Sequence, residues 1–259
     1  MLIVFASRLI NEKKTSSHTI VNKIPSKFKL KTGITDLPVD AFAEHLTYME
    51  VTFFAKVTST DLRNHCPKNR PKSISMWADR YNTVDMWLTK QLQGRESAKE
   101  KVNLVIYLIK LCKKLFVWRN FNTIMQISGV FSNLLREEVW SLIPPKLLEQ
   151  WKEIEELMSA RFNFKNYRNS VKEALDTNKP VVPFLALHLK DLTYIAESLT
   201  DAFEQDKKNK KGTSKKVLVS FDNMQMTGRA IVQLLRLKHF WKNSTFNINT
   251  ELFDFIQDF

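Results

Sequence analysis

The sequence predicts an all-α domain, and three observations carry that prediction. From Phe42 onward apolar residues recur at i, i+3, i+4 and i+7, the period of an amphipathic helix. Runs that alternate apolar and polar residues, as a half-buried strand would, are scarce. Only five glycines occur in 259 residues, roughly a third of the usual share, which disfavours turn-rich sheet folds and glycine-cradled phosphate sites.

The elements follow in chain order. Residues 1–34 are polar, basic and irregular, so 1–35 reads as a tail or linker and 36–259 as the domain. The apolar run Met1 to Ala6 lacks the basic flank and length of a secretion signal. Pro38 precedes the first strong helical pattern, and stripes then cover Leu46 to Val57 and Met76 to Leu92, ended by Gly94. The clearest helix is Lys101 to Trp118, with Val102, Val105, Leu108, Ile109, Cys112, Leu115 and Phe116 on one face. Asn120 separates it from Phe121 to Phe131, and Pro144-Pro145 precedes the stripe Leu147 to Met158. Lys179-Pro180-Val181-Val182-Pro183-Phe184 then leads into a helix over Leu185 to Leu199, a lysine-rich loop, and a second helix from about Phe221 whose stripe spans Met226 to Phe240. Two helices joined by a loop form a hairpin over about 181–240, and Lys190 and Glu197, seven apart, share a face of its first helix.

The net charge of +13 raises nucleic acid or an anionic membrane as a partner. Its distribution argues against nucleic acid: residues 1–34 carry +6 and Glu204 to Lys216 carry +4, so ten of the thirteen charges lie in two short segments. No zinc-finger spacing, RNP1 pattern or basic zipper region accompanies them. Nucleic acid is therefore not expected, a basic helical nucleic-acid binder standing only as an alternative on net charge. The lysine-rich loop 204–216 is expected to make peripheral contact with an anionic leaflet. Cys66 and Cys112 stand far apart with no CxxC spacing, which points to a reducing, cytoplasmic setting, and recruitment to a membrane is expected only through the basic loop. His18, His45, His65, His188 and His239 are not spaced as metal ligands, and no nucleophile elbow or HExxH occurs, so no metal site or hydrolase chemistry is expected. Glu153, Glu155 and Glu156 read as a solvated helix face, and the aromatic residues, at helical spacing, as core.

Five motifs occur in order: Ala43-Glu44-His45-Leu46-Thr47-Tyr48-Met49-Glu50; Asn82 with Trp87; Trp118-Arg119-Asn120-Phe121-Asn122; Asn163-Phe164-Lys165-Asn166-Tyr167-Arg168; and Pro183-Phe184 leading to Leu189-Lys190-Asp191-Leu192-Thr193. On these residues the stretch from about 36 to 259 resembles the catalytic domain of the Ras-family guanine-nucleotide exchange factors (RasGEF). The resemblance implies a bowl-shaped helical fold with a protruding helical hairpin. It implies a Ras-family small GTPase as partner and exchange of GDP for GTP without bond chemistry. It implies no cofactor, because magnesium and the guanine nucleotide belong to the GTPase.

In that family the hairpin binds the nucleotide-free GTPase and wedges its first switch away. By this resemblance Glu197 matches the hairpin acid that approaches the vacated phosphate site, and Thr193 falls where some members have a leucine that shields the magnesium site. Phe184 and Met125 match contacts to the second switch, Lys190 stands where many members have threonine, and Ser132 where the family usually has asparagine. Phe164, Tyr167 and Arg168 match positions of structural character. Phe221-Asp222-Asn223-Met224-Gln225-Met226 is similar to the Phe-acid-x-Met-x-Met pattern of members acting on Rap-type GTPases, and Leu189 to Thr193 leans the same way. Thirty-four preceding residues are too few for the Ras exchanger motif domain many members carry. With Thr193 and Ser132, this motivates an alternative, a degenerate exchange-factor fold that binds a GTPase or adaptor without releasing nucleotide.

Overall fold

The computed structural model describes residues 20–24, 33–209 and 221–259, which form eleven α-helices and a two-stranded sheet. The predicted all-α class is the one observed. The central helix, α1 (Val39–Lys56), follows Pro38 and buries Phe42, Ala43, His45, Leu46, Met49, Glu50, Val51 and Phe54, so it is covered on nearly all sides. A short α2 (Ser59–Arg63) starts at a capping box in which Thr58 and Asp61 satisfy each other's backbone N–H groups. In α3 (Lys72–Gln93), Ile74, Trp77, Val84, Leu88 and Leu92 form the buried stripe. A second capping box, Ser97 with Glu100, opens α4 (Ala98–Val117), the helix the sequence marked most clearly.

Then follow α5 (Phe121–Leu134), α6 (Glu137–Trp140), α7 (Pro145–Leu157, with Pro145 in its first turn) and α8 (Arg161–Asp176). The expected hairpin consists of α9 (Leu185–Asn209) packed against α10 (Phe221–His239). Its first helix runs ten residues past Leu199, and the rest of the lysine-rich loop, 210–216, lies outside the described residues. Strand β1 (Ile20–Ile24) pairs in parallel with β2 (Thr245–Asn249), Ile20 opposite Thr245 and Ile24 opposite Asn249, and α11 (Thr250–Gln257) follows. No described helix is long and apolar enough to cross a membrane.

The strand β1 falls in a stretch the sequence reads as irregular. Its partner is more than two hundred residues away, and local periodicity carries no trace of such a pairing. In turn β2 is fixed to α1 by His45, whose Nε2 accepts the Asn249 N–H at 2.8 Å while Nδ1 donates to the Ala41 carbonyl at 2.7 Å. Burial lowers the His45 pKa, so the ring is neutral with its proton on Nδ1.

Three contacts clamp the segment that leads into the hairpin. Val182 N–H donates to the Arg119 carbonyl and Phe121 N–H to the Val182 carbonyl, both at 3.0 Å, and Trp241 Nε1 donates to the Val181 carbonyl at 2.9 Å. Arg119 adopts φ 52° to make this approach, a left-handed conformation costing about 1 kcal/mol for a non-glycine residue, which the two backbone bonds offset. Asn120 then caps α5 through Thr123 N–H and donates to Thr47 Oγ1 of α1. The Trp-Arg-Asn-Phe-Asn motif is thus the joint that fixes the hairpin's base to the central helix.

Candidate functional site

A groove of about 530 Å³ opens between the first hairpin helix and α3. The α9 side presents Leu185, Ala186, Leu189, Lys190, Thr193, Tyr194 and Glu197; α3 supplies Trp77, Ala78, Tyr81 and Asn82; Asn122 comes from α5; and His65, Pro67 and Arg70 come from the α2–α3 connection. The spacing of these α9 positions is that of one helix face. Three sequence-predicted residues, Lys190, Thr193 and Glu197, therefore meet in one groove. Glu197 is exposed. The Thr193 hydroxyl donates to the Leu189 carbonyl at 3.0 Å, so its polar group is satisfied within its own helix.

The groove floor rests on a buried carboxylate. Glu50 accepts from Trp77 Nε1 and from Asn122 Nδ2, the latter at 2.9 Å. Desolvation raises the Glu50 pKa, opposed by these two donors and by the charge of Arg80. Arg80 in turn donates to the Ile256 carbonyl at 2.6 Å and lies over the Phe259 ring. One polar network thus joins α1, α3, α5 and the C-terminal helix beneath the groove.

Phe184 sits half-buried at the hairpin's base, its ring 6.4 Å from Tyr81 and 6.0 Å from Phe164. Its N–H donates to the Tyr167 hydroxyl at 3.0 Å, which leaves that hydroxyl's proton for His188 Nε2 at 2.8 Å. Burial holds the His188 ring down to about pKa 4, so it is a neutral acceptor. The sign follows: the unfolded chain takes up a proton near pH 6.5 and the folded chain only near pH 4, so stability is lost as pH falls through that window. Chemical denaturation at pH 7 and pH 5 should show the parent losing ~2 kcal/mol more than His188→Gln, a variant without the titrating ring.

Phe162, Asn163 and Phe164 adopt φ 49°, 57° and 60°, one left-handed turn ahead of the right-handed part of α8. Arg168 holds this turn. Its Nε donates to the Asn163 carbonyl at 2.8 Å, and its two terminal nitrogens grip the Asp191 carboxylate of α9 at 2.7 and 2.9 Å. The side chains are 31% exposed on both sides, so the pair is partly desolvated. A double-mutant cycle of Arg168→Met and Asp191→Ala should give a coupling of about 1–3 kcal/mol, more than an exposed pair gives.

Three predicted residues do not line the groove: Phe184 sits at the hairpin's base, and the other two lie in α5. Met125 is half-buried in α5 against the core, and Ser132, exposed near the end of α5, donates its hydroxyl to the Ser128 carbonyl. Conversely, the sequence reading missed His65, Pro67 and Arg70. The run Arg63 to Lys72 holds four cations and no acid between two helices, a signal obscured by the larger excess in the tail and the lysine-rich loop. On the hairpin itself Tyr194, Phe221, Met224 and Met226 are 72%, 67%, 54% and 50% exposed, an unusual amount of large apolar surface left in water. Among the described residues no cluster of three or more potential metal ligands occurs.

Residues 41–225 match the RasGEF domain family. The chain is 28% identical over 227 residues to Ras guanyl-releasing protein 3 of Homo sapiens, covering 84% of this chain and 31% of that protein. It is 30% identical over 194 residues to Ras guanine nucleotide exchange factor G of Dictyostelium discoideum, covering 69% and 11%, and 28% identical over 200 residues to RAS guanyl-releasing protein 1 of Xenopus laevis, covering 73% and 24%. The chain spans less than a third of the length of each of these relatives. With the family match covering well over half of the chain and the helical hairpin in its expected place, this protein belongs to the RasGEF domain family.

Proposed function

We propose that this domain accelerates nucleotide release from a Ras-family small GTPase by binding the nucleotide-free form with its α9–α10 hairpin. The observation that carries this reading is the single groove in which Lys190, Thr193 and Glu197 of α9 face Trp77, Tyr81 and Asn82 of α3. The action is linkage: a partner that binds the nucleotide-free state more tightly weakens nucleotide binding by the same factor. Glu197, exposed on the hairpin, opposes a returning phosphate by like charge, while the apolar residues of the hairpin hold the displaced switch. The Thr193 hydroxyl, engaged with Leu189, leaves a less polar surface toward the magnesium site than a free hydroxyl would. The similarity of Phe221-Asp222-Asn223-Met224-Gln225-Met226 to the pattern of members acting on Rap-type GTPases supports a Rap-type substrate, and Phe221, Met224 and Met226 are exposed, as a contact would require. A membrane role for the lysine-rich loop rests on its charge alone.

Release of a fluorescent guanine nucleotide, followed for Ras, Rap and Ral-type GTPases, tests the reading. Acceleration for one class, strongest for Rap, is the expected result. Stable binding with no acceleration for any class would instead establish the degenerate scaffold.

A further inference from the structure

We infer that the α2–α3 connection, centred on Arg70, is a second recognition element that reads an acidic strip of the GTPase from across the groove. This rests on the exchange-factor reading above and adds a specificity determinant outside the hairpin. The segment Arg63-Asn64-His65-Cys66-Pro67-Lys68-Asn69-Arg70-Pro71-Lys72 carries four cations and no acid, a third basic segment beside the tail and the lysine-rich loop. It is built into the groove, since His65, Pro67 and Arg70 line the cavity that Lys190 and Glu197 line from the other side.

The connection is held in shape before any partner arrives. The Asn69 N–H donates to the Cys66 carbonyl at 3.0 Å in a tight turn, and prolines 67 and 71 restrict the backbone around it. Its two ends are tied together: the Asp61 carboxylate that caps α2 also accepts from Ser73 Oγ in the first turn of α3 at 2.8 Å. Such a loop loses little conformational freedom on binding.

Its groove-lining polar side chains are uncommitted. Arg70 is exposed and makes no hydrogen bond or ion pair among the described residues, and the same holds for Lys190 on the opposite wall. His65 Nδ1 is buried without a hydrogen-bond partner. Burial, followed by the nearby Arg70 charge, lowers the His65 pKa, so at neutral pH the cation of this wall is Arg70, with Lys68 exposed two residues before it in the same connection. Unpaired cations on a groove rim attract an acidic protein surface and raise its association rate. A bilayer is too flat to enter a groove of about 530 Å³ walled by helices, so the wall serves a protein surface inserted between hairpin and loop.

Arg70→Glu and the double variant Lys68→Glu with Arg70→Glu test this. Both positions are exposed and unpaired, so the fold is retained. For nucleotide release at about 50 mM salt, kcat/KM should fall about tenfold for the single variant and further for the double, with the difference shrinking at about 300 mM salt. The maximal rate at saturating GTPase should stay within about twofold, because steering acts on encounter. Cys66 offers a second readout: it is exposed whereas Cys112 is buried, so a thiol-reactive dye labels Cys66, and nucleotide-free GTPase should slow that labelling. Unchanged kcat/KM and labelling, with the parent still releasing nucleotide, would overturn the inference and leave the exchange reading intact. No release by the parent at all would end the exchange reading and this inference with it. A loss seen only when the GTPase is anchored to vesicles of about 30% anionic lipid would assign the loop to the membrane and overturn the inference likewise.

Discussion

Phe184→Ala should slow GTPase nucleotide release by about 30-fold or more, the loss that follows truncation of a buried aromatic anchor at a protein interface. The ring is half-buried between Phe164 and Tyr81, and its own N–H is held by Tyr167, so its position is set from three sides. On the proposed mechanism truncation removes an apolar contact to the GTPase, and it also loosens the hairpin's base. The two effects separate by comparison with Glu197→Ala. Glu197 is exposed with no ion pair among the described residues, so its removal should change stability by less than about 0.5 kcal/mol. On the proposed mechanism it should nonetheless slow release about tenfold, because the negative charge that would oppose a returning phosphate is gone. Full activity in Glu197→Ala, measured alongside an unchanged melting temperature, would remove the acid from the mechanism.

Replacing Glu50 with leucine should cost about 3–5 kcal/mol, the expected penalty for removing one member of a buried charged network. The variant leaves the Trp77 indole N–H and the Asn122 amide without the acceptor both use, and it strips Arg80 of its nearby carboxylate in a buried setting. Because Trp77 and Asn122 form the groove floor, the loss reaches the site as well as the core. Glu50→Gln keeps one acceptor oxygen but brings an amide N–H₂ toward donors already present, so it should cost about 1–3 kcal/mol. Urea titration of the three proteins at pH 7 gives the ordering, and a Glu50→Leu midpoint equal to the parent's would show the carboxylate to be dispensable.

Much of the fold was legible because helical signals are local. The stripe from Val102 to Phe116 lies within α4, whose end at Val117 is one residue short of the expected Trp118, and Asn120 and Pro145 mark helix starts where the structure has them. The hairpin was legible for the same reason, down to Lys190 and Glu197 sharing a face. The left-handed turn at Phe162 to Phe164 was not. It exists because Arg168 binds the Asn163 carbonyl and Asp191 at once; Asn163 tolerates a positive φ, but the phenylalanines on either side of it do not announce one. Ser132 and Met125 were singled out by resemblance alone, and the groove does not include them.

By itself the sequence determined seven of the eleven described α-helices, the hairpin and the five motifs that mark the family, since each follows from periodicity, capping or residue order within a short window. Only the tertiary structure decided what those motifs do. Glu50, Asn122 and Trp77 become one network, Val182 docks on Arg119, β1 finds β2, and Arg70 faces the hairpin, because these contacts join residues dozens to hundreds of positions apart. Such pairings are stabilised only once the chain has collapsed and water has left the polar groups, so they leave no periodic trace in the sequence.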